Sequence, residues 1–390
     1  MRFPGFEGEW ELKKLSAYLY ENKERNRNGE FNKSDVLSVS GDCGIVNQIE
    51  LLGRSFAGKS VADYHVVRTD DIVYTKSPLK EYPYGIVKYN NGQDGIVSTL
   101  YAVYHHKDNV DGQFVEYYFT NPQRTNRYFK PIVRIGAKHD MKIGNEEVLD
   151  SFVVFPGLEE QRKITEMLSL LDLRIAIQNK VIEKYESLIK ALTDKIVDDL
   201  LKGRMVPFNQ MYIQAGEGGT PSTSVGQYYL NGTIPFVKID DLSSKYLVKN
   251  KDFINDLGLS KSSAWLIPSN SVIYSNGATI GAISINTYPV STKQGILGVV
   301  PAADANTEYL YYLMCSRYFS EQVQRIIAEG TMKTAYLKDM NKIQCPLPSL
   351  REQKRIVAGL SALSSKLESE LAALLSYESI KRYLLINLFI

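Results

Sequence analysis

Between residues 156 and 201 the apolar residues recur in steps of four and three: Ile164, Leu168, Leu171, Ile175, Ile182, Tyr185, Ile189, Leu192 and Ile196. That spacing is a heptad seam, one narrow apolar stripe along a long helix. The seam returns 192 residues later as Ile356, Leu360, Leu363, Leu367, Leu374, Tyr377, Leu384 and Leu388. Polar positions return with it, because Pro156, Glu160, Gln161, Glu186 and Ser187 fall on Pro348, Glu352, Gln353, Glu378 and Ser379 without a gap. Both seams break at the same place, at Gln178 and at Glu370. A single stripe of this kind is most often a core helix. A gapless repeat of stripe, proline entry and polar break points instead to two matched helices that pair through their seams. Antiparallel pairing would set Gln178 and Glu370 within one layer of each other, and so would parallel pairing in register. The polar layer therefore specifies register better than direction.

The segments outside the helices alternate differently. Residues 35–40, 65–69, 71–75, 85–89 and 96–104 are rich in β-branched and aromatic side chains and are punctuated by Gly, Asn and Pro, which predicts short strands. A helix follows at 113–121. Lys202-Gly203 stops the first long helix, since glycine tolerates the left-handed cap conformation. Residues 206–347 repeat the first plan loosely: 234–239 answers 36–39, 272–275 answers 72–75, 290–292 answers 97–99, and Tyr311-Tyr312 answers Tyr117-Tyr118. The predicted fold is α/β (α+β), a pseudo-two-fold repeat of globular part, helix, globular part, helix, at 1–155, 156–203, 204–347 and 348–390. The helices are expected to form an antiparallel coiled coil. At 1.5 Å per residue a helix of about 42 residues is roughly 60 Å long. Such a pair is a ruler holding two similar surfaces apart, which suits a linear polymer with two short recognition sequences; DNA half-sites one turn apart lie some 34 Å apart, an order-of-magnitude figure.

Composition narrows this little. A chain of 390 residues, 44% hydrophobic and 23% charged, has room for two or three cored domains. Its 46 basic and 44 acidic residues nearly cancel, so only their segregation could favour nucleic acid. Cys43, Cys315 and Cys345 have no zinc-knuckle or disulfide spacing. They and the absence of a charged-then-apolar start predict a cytoplasmic protein. The apolar run 383–390 is too short for a bilayer and is expected to finish the second seam or dock on another chain.

Two motifs invite an enzyme reading. Gly53-Arg54-Ser55-Phe56-Ala57-Gly58-Lys59-Ser60 satisfies the phosphate-loop pattern, which needs a strand before it and a helix after it. The residues after it read as a short strand instead, so nucleotide binding through Lys59 and Ser60 is the weaker alternative. His105-His106 reads as loop without metal-ligating partners. No catalytic residue and no metal site is predicted. A coiled-coil adaptor that pairs proteins without reading DNA is the other alternative.

The strings Pro156-Gly157-Leu158-Glu159-Glu160-Gln161 and Pro348-Ser349-Leu350-Arg351-Glu352-Gln353 resemble the helix entries of the specificity (S) subunits of type I restriction-modification systems, over essentially the whole chain. Arg2-Phe3-Pro4-Gly5-Phe6 up to Trp10 looks like that family's N-terminus, and Gly219-Thr220-Pro221 followed by Ile234-Pro235-Phe236-Val237 looks like a frequent start of one of its target recognition domains. The resemblance implies a non-catalytic subunit whose recognition domains each read half of a bipartite site in double-stranded DNA. It also implies that the helices set the spacer and dock two methyltransferase (M) subunits, with restriction (R) subunits joining the full complex. S-adenosylmethionine, and ATP with Mg, would then sit on partners and no cofactor on this chain.

Contacts to DNA need loop side chains that can reach phosphates and base edges. Matched positions in the two halves are the candidates: Lys76 and Ser77 against Asn276 and Thr279; Ser98 and Thr99 against Ser291, Thr292 and Lys293; Arg134 and Lys138 against Lys333 and Thr334. An exposed loop side chain is as good a reading of any one of them. The 26 tyrosines suggest stacking, but Tyr117, Tyr118, Tyr311 and Tyr312 fall on helices and are assigned to the core.

Overall fold

The computed structural model describes residues 2–58, 60–79, 82–135, 141–277, 279–329 and 334–389. The chain divides into two compact units, Met1–Gln178 with Ala373–Ile390, and Asn179–Ala372. Each unit holds one globular part and a half of each long helix. The helices are Leu158–Leu200, of 43 residues, and Leu350–Asn387, of 38.

In the first unit a four-stranded antiparallel sheet runs in the order Leu19–Glu21, Ala102–His106, Ile72–Tyr74, Val87–Tyr89. Helix Gly112–Thr120, capped by Asp111, lies against it and buries Phe114, Val115, Tyr117, Tyr118 and Phe119. Strands Glu11–Lys14 and Phe152–Phe155 pair beside this core and lead into the first long helix. In the second unit the order is Tyr212–Glu217, Ile296–Pro301, Val272–Ser275, Ile283–Asn286, Tyr246–Leu247. Helix Thr307–Cys315, capped by Asn306, takes the place of Gly112–Thr120, and Met205–Pro207 pairs with Gln344–Pro346 ahead of the second long helix. The caps place Tyr117 opposite Tyr312 in the repeat, one residue away from the match made on the tyrosine pairs. Tyr117, Tyr118 and Tyr312 are buried.

Within each unit the long-helix halves run antiparallel. In the first, Asp172 pairs with Lys381 while Arg174, further along, bonds to Tyr377, further back. In the second, Ile189, Leu192 and Ile196 share a core with Ile356, Val357 and Leu360. The predicted seam positions are buried or half-buried along both helices: Ile164, Leu168, Leu171, Ile175, Gln178, Ile182 and Tyr185 on the first, and Ile356, Leu360, Leu363, Leu367, Glu370, Leu374 and Tyr377 on the second. Of the two breaks, Gln178 is buried, and Glu370 pairs with Lys366 one turn earlier.

Local details depart from expectation. The stretch 96–104 is two strands, Gly95–Val97 and Ala102–His106, separated by a turn in which the Tyr101 amide donates to the Ser98 carbonyl. His105 and His106 are therefore strand residues, and His105 has an acidic partner, with Nδ1 2.5 Å from Asp71. After the first long helix the Gly203 amide closes on the Leu200 carbonyl at 2.9 Å, without the left-handed conformation expected of it.

Candidate nucleic-acid interface

The glutamine of each helix entry is the joint between helix and globular part. Gln161 Nε2 donates to the Pro156 carbonyl at 2.9 Å, and its Oε1 accepts the Asp111 amide at 3.0 Å. Gln353 repeats this on Pro348 at 2.9 Å and on the Asn306 amide at 2.7 Å, and adds the Asp304 carbonyl at 2.8 Å. Asp111 and Asn306 cap the two equivalent core helices, so each glutamine locks a long helix to one fixed point of its globular part. A buried amide that satisfies main-chain groups on two elements fixes their mutual angle. The neighbouring glutamates differ. Glu352 bonds the Ser349 amide and hydroxyl at 3.0 and 2.8 Å, whereas Glu160, preceded by Gly157 and lacking that hydroxyl, is buried against Arg2 at 3.0 Å.

Loops gather at one end of each main sheet. In the second unit Glu217 pairs with Leu297 and Ser275 with Ile296, so residues 218–221, 276–277 and 293–295 emerge together. They are tied to one another: the Gly295 amide donates to Glu217 Oε1 at 2.7 Å, the Asn276 amide to the Gly295 carbonyl at 3.0 Å, and the Gln294 amide to Thr220 Oγ1 at 3.3 Å. A Cβ on Gly277 would stand 3.1 Å from the Gly295 Cα, so the two loops cross in close contact here. In the first unit Tyr74 pairs with Ala102, which puts the loop after Thr75 and the turn 98–101 at the corresponding edge.

The candidates fall into distinct settings. Ser98 is half-buried, and Thr99, Thr279 and Lys293 are exposed at these ends, with Gln294 beside Lys293. Ser77 and Thr334 are half-buried, and Arg134 is exposed on a short strand with Ile135. Asn276, Ser291 and Thr292 are fully buried, and their side chains donate to the carbonyls of Ala335, Pro235 and Ile296. These bonds hold loops in place, and the buried Oδ1 of Asn276 has no partner among the described residues. Lys76 is likewise turned inward, its ammonium on the Ile143 carbonyl at 3.0 Å and on Asn145, and burial pushes its pKa below the ordinary lysine value. Lys138 and Lys333 lie outside the described residues.

Strand register explains the burial of Ser291 and Thr292. Val36 bridges Ile96 in parallel as Phe236 pairs with Ser291, which makes Ser98 and Thr99 the counterparts of Lys293 and Gln294. The sequence match had slipped by two residues into the strand. Gln294 escaped sequence reasoning because no matched pattern marks it, whereas Thr220 and residues 53–57 stood in quoted motifs without being assigned to DNA contact.

The phosphate-loop reading fails on element order. Helix Gln48–Leu52 precedes the glycine run, Gly53 is its left-handed C-cap with its amide on the Ile49 carbonyl at 2.8 Å, and strand His65–Val67 follows. The run thus begins at the carbonyl end of a helix, and not at the amide end that a phosphate loop requires. Lys59 lies outside the described residues, and Ser60 Oγ accepts the Ala62 amide at 3.3 Å. No group of three metal-ligating side chains occurs among the described residues.

The pattern described as "Type I restriction modification DNA specificity domain" matches residues 213–376. The chain is 28% identical over 156 residues to the specificity subunit of type I restriction enzyme MjaIX from Methanocaldococcus jannaschii, covering 39% of this chain and 36% of that protein. It is 26% identical over 146 residues to the EcoR124I/EcoR124II specificity subunit of Escherichia coli, covering 36% of each. The chain thus spans little more than a third of the length of either relative. A putative MjaX specificity subunit of M. jannaschii aligns over 335 residues at 21% identity, with 80% of this chain and 75% of that protein covered. In fold, the chain is similar to the crystal structure of a type I restriction-modification S subunit from M. genitalium, with a TM-score of 0.59, 14% identity, and 98% and 96% of the two chains covered. A chain from a structure concerned with complex assembly and conformational transition of a type I R-M system gives a TM-score of 0.58 at 15% identity, covering 98% and 97%.

Proposed function

Since the chain matches type I restriction-modification specificity subunits in both sequence and fold, we propose that it is the DNA-reading and assembly subunit of such a system, acting in the cytoplasm without a catalytic site of its own. Each unit binds one half of a bipartite site in double-stranded DNA through the loop end of its main sheet. The long helices set the spacing between the halves and dock two methyltransferase subunits, and restriction subunits join the full complex.

The observation that carries this reading is the duplicated joint, Gln161 on Asp111 and Gln353 on Asn306. Two reading surfaces can share one DNA register only if each is held at a fixed angle to the element that spaces them, and the same device does this in both halves. The outer face of the first helix supports the docking role: Leu170, Leu173 and Ile177 are 60%, 56% and 46% exposed, on the side opposite the seam. Leucine and isoleucine repeated along a solvent face mark a surface for a protein partner.

Genome-wide methylation mapping tests the proposal. Cells expressing this chain with a cognate methyltransferase are expected to gain a bipartite methylated motif of fixed spacer that is absent without the chain. Methylation that is unchanged while the methyltransferase is active would reject it in favour of an adaptor.

A further inference from the structure

In the first unit a cleft of about 210 Å³ opens between the turn 98–101 and the segment 48–57, lined by Ser38, Gln48, Phe56, Tyr64, Ser98 and Tyr101 with small apolar neighbours. Every polar group on it is a hydroxyl or an amide, and no carboxylate is among its described lining residues. At its rim Phe56 is 58% exposed, with the Arg54 guanidinium stacked over its ring at 4.6 Å. The loop carrying this pair is held in shape: Gln48 Oε1 accepts the Phe56 amide at 2.7 Å, Gln48 Nε2 donates to Ser38 at 3.3 Å, and Gly53 turns the chain at φ +73°.

We infer that Arg54, stacked on Phe56, is the base-reading arginine of the first half, entering a groove of double-stranded DNA while the Ser98 turn faces the same duplex. This assignment rests on the DNA-reading function proposed above. The fit to DNA is chemical. The guanidinium is itself a planar fork that matches a guanine edge, and resting over an aromatic ring it loses less rotamer entropy on contact than a free side chain would. A cleft without carboxylates does not repel phosphates. The cleft also adjoins the turn whose counterpart in the second unit carries Lys293 and Gln294, so both halves offer a cation from the same edge of the repeat. Two other arginines of this unit are engaged internally: Arg68 bonds Glu24, Glu30 and Asp94, and Arg124 donates to two main-chain carbonyls.

The test uses the full chain with its methyltransferase and synthetic duplexes carrying the mapped motif, with one half or the other scrambled. Arg54→Ala and Phe56→Ala are expected to weaken binding to the intact motif by about 10-fold or more, the scale of one lost bidentate base contact. Scrambling one half should abolish that difference, and scrambling the other half should abolish the difference made by Lys293→Ala. Arg54→Lys should keep the salt dependence of the wild type while losing discrimination at one base position, because it retains the charge but not the fork. Melting temperatures equal to wild type establish that the variants fold. A wild-type motif that survives both Arg54→Ala and Phe56→Ala at unchanged affinity overturns this assignment alone. A wild-type chain that directs no bipartite motif overturns the function on which it rests.

Discussion

His65 is buried against the turn 98–101, near the Thr99 backbone, and its Nδ1 is without a partner among the described residues. Burial, followed by the nearby charges of Arg25 and Lys76, lowers its pKa from 6.5 to about 4. The fold therefore favours the neutral imidazole. That stabilisation is complete above pH 6.5 and is lost as pH falls from 6.5 toward 4, where the unfolded chain takes up a proton that the native one refuses. The urea midpoint of the wild type should fall between pH 7.5 and pH 5, and His65→Gln should flatten that dependence. Single residues also show where sequence reasoning about contacts stops. Lys76, Asn276, Ser291 and Thr292 have the right chemistry for DNA, yet each spends it on the chain itself. Chemistry is legible in a sequence, whereas the direction a side chain faces depends on strand register.

Each long helix was legible as an element because its apolar stripe and proline entry are local. What the helix does at its entry was not. Gln161 and Gln353 stood out as motif residues, but their partners Asp111 and Asn306 are 50 and 47 residues away and cap other helices. Gln353→Ala would leave the Asn306 amide and two carbonyls unpaired, at a cost of about 1–3 kcal/mol for each buried group left unsatisfied. Calorimetry should show a melting temperature lowered by roughly 2–4 °C per kcal/mol for a domain of this size. Gln161→Ala, which frees one amide and one carbonyl, should be the milder of the two. Equal stability of both variants and wild type would show that the joints are not structural.

For the whole molecule, the end of the chain belongs to the unit in which the chain begins. Phe389 is 4% exposed, with its ring 5.3 Å from Phe114 and 4.9 Å below the Arg124 guanidinium, which also donates to the Phe389 carbonyl at 3.2 Å. Leu385 and Leu388 join the same core. Residues 383–389 thus both finish the second seam and close the first core. Phe389→Ala should cost about 3–5 kcal/mol, as for a large buried aromatic. Hydrogen exchange should place the loss in residues 112–120 and leave the core of 307–315 protected. Uniform loss in both units would contradict the division into two compact units.

The sequence by itself determined the repeat, the two long helices with their seams and polar breaks, and the order of globular part and helix. Heptad spacing and a gapless shift are properties of neighbouring residues and survive without a third dimension. It also carried the family resemblance, which sits in two short entry motifs. Tertiary structure alone decided that the Gly53 run starts at a helix C-terminus, that His105 meets Asp71, and that Ser98 answers Lys293 rather than Ser291. It likewise decided that Phe389 completes a core begun some 275 residues earlier, counting from Phe114. These depend on pairing between strands and packing between distant segments, which long-range burial and hydrogen bonding select and which no local spacing encodes.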